Sequence, residues 1–408
     1  MRYPLVRLAL FATAIVSLDA GSIARAGHTT SKPDTVVVTN QRPVWRDTAD
    51  LVAEYSAGAR GDGEDNRFSR ISALAVGRNE QMFVADAGMR SVREFKNGEY
   101  VRRIGRQGRG KGEYAEIQGI ALTPNGRLLV RDGPSGKILV YGADGAAITS
   151  WPLAMGDVVG LGRALLRADS MGGVMAAAQI GKSKDLRMAG NAIVHIAADG
   201  KVRDTLLVSD RFVDDCPISF LRARVPVVMS FSPQTVWTVG AGGEMVAGCG
   251  KRYSFDVTQR NGRVLRVSRA WTPVPISKEE REDRVAAFEV RMRQTEQGWT
   301  WAGPPHPSQH PAFSGFIAAE DGRIWVITPW PSDYVDNPVA GAKPARVWSV
   351  RYGFDVFDTR GVFQGTVRVP DGMRLTVEPV IRGDTVWAAR LDDNGTPMVT
   401  RYRLRHTK

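Results

Sequence analysis

Short apolar runs separated by turn residues recur along most of the chain. They are clearest at residues 71–95 and 117–141, where three apolar runs follow one another in each segment. Runs of this length, bounded by Gly, Asn and Asp, are typical of β-strands. Asn-Gly at residues 125–126 and Asp-Gly at residues 144–145 join neighbouring runs, and such dipeptides favour two-residue hairpin turns. The pattern therefore predicts antiparallel strands with tight connections.

The runs belong to an internal repeat. Arg-Gly-Asp-Gly-Glu at residues 60–64 recurs as Arg-Gly-Lys-Gly-Glu at residues 109–113, and the same order of runs follows each copy. Repetition at this period indicates an array of one supersecondary unit. We predict that the unit is a four-stranded blade with strands a to d, and that the Arg-Gly-x-Gly-Glu motif lies in the d–a connection.

The same template extends to the end of the chain. The last unit lacks its fourth strand, and residues 51–55 can supply it, because they precede the first motif as strand d precedes the second. Such pairing would close a ring and remove open sheet edges. The predicted fold is all-β, a six-bladed β-propeller at residues 50–408 closed by an N-terminal strand. The four further units lie at about residues 161–208, 235–270, 316–369 and 375–404.

One helix is predicted, in an insertion at residues 272–312 between the fourth and fifth units. Ser277 and Glu280 have the spacing of a capping box, and Val285, Phe288 and Met292 follow at helical spacing. Consecutive apolar positions also occur in parallel α/β sheets, which need crossover helices. A single helical segment excludes that class.

The long connections fall on one side of the predicted disc. Because strand direction alternates, the a–b and c–d turns share one face, and the b–c and d–a connections share the other. Elaboration of one face favours it as the functional face, and neutral surface insertion is the alternative. The long segments are residues 181–189, 209–226, 272–312 and 329–345.

Aromatic and histidine side chains in the last two of these segments are the candidate binding residues. They would form a lid over the channel mouth, where aromatic rings suit sugar rings or peptide side chains. The alternative is that they only attach the insertion to the disc. The candidates are Trp299, Trp301, His306, His310, Trp330 and Tyr334.

No catalytic residue is assigned. His306 and His310 have a spacing seen in metal sites, but prolines flank them and no nearby cysteine or carboxylate completes a ligand set. Asp86 and Asp132 end strand b of the first two units, where they would accept hydrogen bonds from turn amides. The alternative is one divalent cation such as calcium, held by these carboxylates. The Gly-x-Ser-x-Gly motif of serine hydrolases is absent. We therefore expect no cofactor and lean against an enzyme.

The N-terminus is predicted to be an export signal. Residues 1–26 combine a positively charged start, an apolar core at residues 8–18 and an A-x-A cleavage pattern at residues 24–26. The core is too short to cross a bilayer, and no later segment is long enough. The alternative is an uncleaved N-terminal anchor. We expect a secreted or periplasmic protein in which residues 27–49 are a linker.

The cysteines and the charge refine this prediction. Two cysteines in an exported chain favour a Cys216–Cys249 disulfide, with two separate buried thiols as the alternative. The formal net charge of +12 attracts acidic surfaces such as anionic glycans, or it serves solubility alone. Export disfavours nucleic acid. The expected partner is a protein or an anionic glycan, and the expected state is a monomer.

A family resemblance supports these expectations. The series Gly-Ile-Ala-Leu, Asn-Gly-Arg-Leu-Leu-Val-Arg-Asp, Ile-Leu-Val-Tyr and Asp-Gly at residues 119–145 resembles the NHL repeat. Residues 50–405 resemble secreted bacterial six-bladed β-propellers of the NHL-like type. The resemblance implies a binding or scaffold module, although such propellers include protein binders, RNA binders and a few enzymes. A metal-dependent hydrolase of the gluconolactonase/regucalcin kind is the alternative, and its early Glu-Gly-Pro-x-Trp segment is missing here.

Overall fold

A computed structural model gives the fold of most of the chain after residue 33, and residues 34–408 form one compact unit. The predicted signal peptide and two of the expected long segments, residues 181–189 and most of 209–226, lie outside the described residues. No helix in the described ranges is long and apolar enough to cross a membrane. The structure describes residues 34–58, 63–133, 135–153, 158–160, 165–180, 190–207, 216, 219–220, 226–227, 230–301, 305–337 and 344–406.

The first two repeats are four-stranded antiparallel sheets with their strands in chain order, β3 to β6 and β9 to β12. Two short strands, β7 and β8, pair in parallel inside the second Arg-Gly-x-Gly-Glu connection. The strands up to this point are β1 (Thr35–Asn40), β2 (Ala49–Ala57), β3 (Ile71–Val76), β4 (Gln81–Asp86), β5 (Ser91–Lys96), β6 (Glu99–Ile104), β7 (Arg106–Gln107), β8 (Glu113–Tyr114), β9 (Ile117–Leu122), β10 (Leu128–Asp132), β11 (Lys137–Tyr141) and β12 (Ala147–Pro152).

The third and fourth repeats are antiparallel sheets of the same kind, apart from one parallel strand added to the fourth. In the third repeat both β13 and β14 pair with β15, and β18 pairs with β19 outside the repeat. The strands are β13 (Val158–Gly160), β14 (Leu166–Ala168), β15 (Val174–Ile180), β16 (Gly190–Ile196), β17 (Val202–Leu207), β18 (Ser219–Phe220), β19 (Pro226–Val227), β20 (Thr235–Val239), β21 (Met245–Cys249), β22 (Ser254–Thr258) and β23 (Val264–Arg269).

The last strands form one continuous sheet with β2, in the order β24-β25-β26-β27-β2-β30-β29-β28. The predicted final inner strand at residues 375–381 is reduced to β28, which has three residues. The remaining elements are α1 (Lys278–Thr295), β24 (Gly315–Ala318), β25 (Ile324–Asp336), β26 (Arg346–Phe357), β27 (Phe363–Arg368), β28 (Val380–Arg382), β29 (Thr385–Leu391) and β30 (Pro397–His406).

The N-terminal strand β2 pairs with the C-terminal strand. It runs antiparallel to β30, with Leu51 opposite Leu404 and Ser56 opposite Thr400. The hydroxyls of Ser56 and Thr400 lie 2.8 Å apart. Leu51 is buried beside Trp325 in the core that these sheets share. This is the pairing that the sequence pattern predicts for the two ends of the chain.

The expected linker at residues 27–49 contains a strand that the sequence analysis missed. β1 lies parallel to β23 and adds a fifth strand to the fourth sheet. The Asn40 side chain holds the end of β1 in place: its Nδ2 donates to the Gly361 carbonyl at 3.0 Å, and its Oδ1 accepts from the Phe363 amide at 2.9 Å. The β-branched run Thr-Val-Val-Val-Thr favours this extended conformation.

The strands are apolar at consecutive positions because each sheet packs against a neighbour on both faces. On β10, Leu128 and Val130 pack with Phe83 of the first sheet. Leu129 points to the other side and packs with Val174 of the third sheet. Complete burial of such a side chain contributes about 1.5–3 kcal/mol. The core is therefore a series of layers between sheets.

Candidate functional site

The insertion after the fourth sheet contains the predicted helix. The Ser277 hydroxyl accepts from the Glu280 amide at 3.0 Å, which starts α1 as the capping pattern indicates. Phe288 and Met292 lie on the buried side of α1. The helix therefore has a narrow apolar face, and other apolar side chains must cover that face to keep it from water.

The two tryptophans that follow α1 supply that partner. The Trp299 ring lies 5.5 Å from the Phe288 ring, and Trp299 is only 6% exposed. Trp301 lies 5.0 Å from His306, and both rings also contact Phe288. Burial lowers the pKa of His306. In this arrangement Trp299, Trp301 and His306 pack against the helix of their own insertion, which is neither the expected lid nor the expected attachment to the disc.

His310 lies apart from that cluster. It is buried, and its ring contacts Phe231 at 5.4 Å. Burial lowers the pKa of His310, which the nearby Glu280 carboxylate only partly offsets. No group of three or more His, Cys, Asp and Glu side chains converges anywhere in the part of the chain that the structure describes.

The connection in the fifth sheet differs from the expected loop at residues 329–345. Strand structure continues to Asp336 on β25 and resumes at Arg346 on β26, so the segment is a lengthened hairpin. Tyr334 is paired opposite Trp348, and a register shift follows Trp330. The sequence Pro-Ser-Asp within β25 resembles a turn, and a bulge absorbs it instead.

Side chains of α1 hold this hairpin in place. The Trp348 Nε1 donates to Asp283 Oδ2 at 2.9 Å, and Arg284 Nη2 donates to the Trp348 carbonyl at 2.9 Å. The Ser332 hydroxyl donates to Glu280 Oε1 at 2.7 Å, and that carboxylate is also paired with Arg284. Because these bonds join helix and hairpin at three points, the two elements form one rigid projection.

The hairpin presents aromatic rings and guanidinium groups on its surface. The Tyr334 ring is 41% exposed and lies 4.9 Å from the Trp348 ring. The Arg346 guanidinium lies 4.5 Å from the Tyr334 ring centre, and Arg351 lies 6.0 Å from that of Trp330. We call this set the hairpin patch: Trp330, Tyr334, Arg346, Trp348 and Arg351.

The paired aspartates of the first two sheets have the hydrogen-bonding role that their positions predict. Asp86 accepts from Arg93 Nη2 at 2.9 Å and from four backbone amides, including those of Arg70 and Gly88 at 3.0 Å. Asp132 accepts from the amides of residues 115 and 116 at 3.2 and 3.0 Å. Both carboxylates are buried. They therefore set the course of the loops around them.

Two cavities escaped the sequence analysis. One, of about 850 Å³, lies along strands contributed by successive sheets, and it is the central channel. Within it Arg167 pairs with Glu378 and donates to the Ala318 carbonyl at 3.0 Å. Arg167 therefore connects β14 of the third sheet to the end of β24 and to the segment before β28. Arg382 pairs in the same way with Glu320. A single arginine in a sequence does not indicate which distant carboxylate it pairs with, so the sequence could not predict these ion pairs.

The second cavity, of about 650 Å³, lies between the first two sheets beside the second Arg-Gly-x-Gly-Glu motif. Three arginines and one glutamate are among the residues that line it, together with small residues of the surrounding loops. We call it the arginine cavity. Its charged residues are Arg70, Arg90, Arg109 and Glu116.

The predicted disulfide is present. Cys216 and Cys249 are bonded, with their Cα atoms 5.9 Å apart. Cys249 ends β21, so the bond ties Cys216 to the fourth sheet. An oxidised pair of this kind is typical of compartments outside the cytosol.

Comparison with known proteins identifies the class of fold. A family model described as a 6-bladed beta-propeller, DUF5128, matches residues 63–155. The chain is similar in structure to a DUF4221-family member from Bacteroides vulgatus, with 10% identity, a TM-score of 0.54, and 88% of this chain and 99% of that chain covered. The fold is a β-propeller, and at this identity the likeness concerns the fold alone. No protein with a curated description matches the sequence.

Two further propellers have lower scores. Virginiamycin B lyase from Staphylococcus aureus has 10% identity and a TM-score of 0.36, with 85% of this chain and 97% of that chain covered. The calcium-binding protein regucalcin from Agrobacterium tumefaciens has 10% identity and a TM-score of 0.38, with 88% and 98% covered. Neither likeness assigns an activity to this chain.

Proposed function

We propose that this protein is an exported six-bladed propeller that binds an anionic glycan through the hairpin patch. The pairing of β2 with β30 and the family description support the blade count. The disulfide and the charge of +12 support an exported protein that meets acidic polymers. We favour a module that binds or scaffolds over an enzyme.

One observation carries the proposal: the hairpin is held in place and its patch is partly exposed, with Arg346 and Arg351 exposed but also paired with Asp336 at 3.5 Å and Asp333 at 3.6 Å. Tyr334 and Trp348 form an aromatic pair on the surface, and Arg346 lies over the tyrosine ring. Aromatic rings stack on the apolar faces of sugars, and guanidinium groups bind carboxylate or sulfate. Since the bonds from α1 already fix the hairpin, binding costs little conformational entropy.

The test is a double substitution in the patch. Tyr334→Ala with Arg346→Ala removes one ring and one guanidinium from the exposed side of the hairpin. We expect the affinity for polygalacturonate or dextran sulfate, measured by calorimetry, to fall by about tenfold or more. Neutral dextran should bind neither protein tightly.

Met171→Ala is the matched control, because Met171 is 61% exposed and lies in an a–b turn on the opposite face. It should bind like the unaltered protein. If the double substitution leaves the affinity unchanged, the hairpin patch is not the binding surface. One tightly bound divalent ion per purified protein molecule would support the metal-dependent hydrolase instead.

A further inference from the structure

We propose that the arginine cavity binds a tetrahedral oxyanion, the phosphate or sulfate group of a sugar-sized ester. The cavity lies between the first two sheets, and the hairpin patch lies on the fifth. This second site therefore goes beyond the proposed glycan surface and does not depend on it.

The charge of the cavity is the first reason. Arg70, Arg90 and Arg109 line it, and Glu116 is the one acidic side chain in its lining. Within the described part of the chain, no hydrogen bond or ion pair engages these three guanidinium groups. The arginines of the central channel differ, since each of those described above has a carboxylate and a carbonyl partner. Three unpaired guanidinium groups are suited to an oxyanion.

The walls of the cavity are fixed before any ligand arrives. Asp86 holds the amides of Arg70 and Gly88 on one wall, and Asp132 holds the amide of Glu116 on the other. In the motif loop, Glu113 accepts from the Gly110 amide at 2.8 Å and from Arg106 at 2.6 Å. Hydrogen bonds from Gly110 and Arg106 lower the pKa of Glu113, so it stays ionised. The loop that carries Arg109 is thus preorganised.

The backbone at Arg90 is the second, independent reason. Arg90 has a φ of +50°, in the left-handed region of backbone conformation that residues other than glycine and asparagine rarely adopt. Glycine would adopt this conformation without strain. The chain instead has an arginine there, and Arg90 is one of the residues that line the cavity. A costly residue at a cavity wall points to a role for its side chain.

The size of the cavity indicates the rest of the ligand. Pockets for small molecules have volumes of roughly 300–1,000 Å³, and the 650 Å³ of this cavity lies inside that range. An inorganic oxyanion alone fills only a small part of it. An organic group the size of one or two sugar rings fits beside the anion.

The test is calorimetry of the mature protein, without residues 1–26, with four probes: glucose 6-phosphate, glucose 6-sulfate, inorganic phosphate and glucose. We expect one or both esters to bind at least tenfold more tightly than inorganic phosphate, and glucose not to bind. The ester that binds more tightly identifies the anion. Equal binding of both esters means that the site recognises the tetrahedral oxyanion alone, which also agrees with the proposal.

Two substitutions and a control locate the site. Arg109→Gln should weaken ester binding by about tenfold. Arg90→Gly should weaken it similarly while the melting temperature stays unchanged or rises, because glycine relieves the left-handed backbone. Lys111→Gln removes an exposed charge from the same loop outside the cavity lining and should leave binding unchanged.

Three results would overturn the proposal. These are no binding of either ester, full binding by the Arg90→Gly and Arg109→Gln proteins, or equal weakening by Lys111→Gln. None of them bears on the hairpin patch, whose own variants leave this cavity intact.

Discussion

The first two sheets and the insertion after the fourth differ in the ionisable side chains that they bury. In the first two sheets, Asp86 and Asp132 accept several backbone amides each, and the sequence there contains no histidine. In the insertion, both nitrogens of His306 and the Nε2 of His310 lie buried without a hydrogen-bond partner among the described residues. The first two sheets thus bury carboxylates that several hydrogen bonds hold, although Ser91 Oγ and Gln118 Oε1 there have no partner among the described residues, whereas the insertion buries histidines whose pKa is lowered by burial. We infer that the repeats carry the stability of the fold and that the insertion is the part whose stability responds most to pH.

The largest expected effect tests whether the repeats and their closing strand carry the stability. Leu51 on β2 is buried, and Leu51→Asp places an unpaired carboxylate in the core beside Trp325. We expect the free energy of unfolding, measured with urea, to fall by about 4 kcal/mol or more.

The neighbouring residue is the control for that change. Val52 is 49% exposed on the other side of β2, and it is paired opposite Arg403. Val52→Asp adds the same charge and should change the free energy of unfolding by about 0.5 kcal/mol or less. Equal losses in both proteins would contradict the placement of β2 beside β30.

A smaller effect is expected on acidification, which should destabilise the insertion more than the first two sheets. Burial lowers the pKa of His306 and His310, so below pH 6.5 the unfolded insertion takes up protons before the folded one does. Stability from these residues is complete above pH 6.5 and is lost as the pH falls toward the lowered pKa values. We expect α1 to loosen between pH 7.5 and 5 while the first two sheets stay intact, as hydrogen exchange would measure.

Two variants check the cause of that acid response. In the His306→Gln and His310→Gln proteins, the pH dependence of exchange in α1 should become flatter. If the first two sheets loosen before α1, or if both variants respond to acid like the unaltered protein, the histidines are not the reason.

The sequence predicted the regular parts of the fold well, because there the local pattern and the packing agree. The bounds of β20, β21 and β29 match the apolar runs, and the capping residues of α1 lie where the pattern indicates. β1 and the hairpin extension were missed, since an isolated apolar run and a Pro-Ser-Asp segment resemble a linker and a loop. Only long-range pairing with β23 and contact with α1 give them structure.

The candidate site was predicted only in part. The sequence pointed to Trp330 and Tyr334, which lie in the hairpin patch, and also to Trp299 and Trp301, which pack against α1. Composition alone cannot distinguish an aromatic ring that binds from one that packs. The arginine cavity was missed because its guanidinium groups come from separate loops, and only the folded chain brings them together.

The most direct test of the central claim is a hydrogen-exchange footprint of the mature protein with and without saturating dextran sulfate. Binding through the hairpin patch predicts slower exchange in residues 330–336 and 346–351 and in α1. The short turns around Gly126, Gly172 and Gly322 on the opposite face should not change. Protection confined to those turns, or no protection at any position, would contradict binding through the hairpin patch.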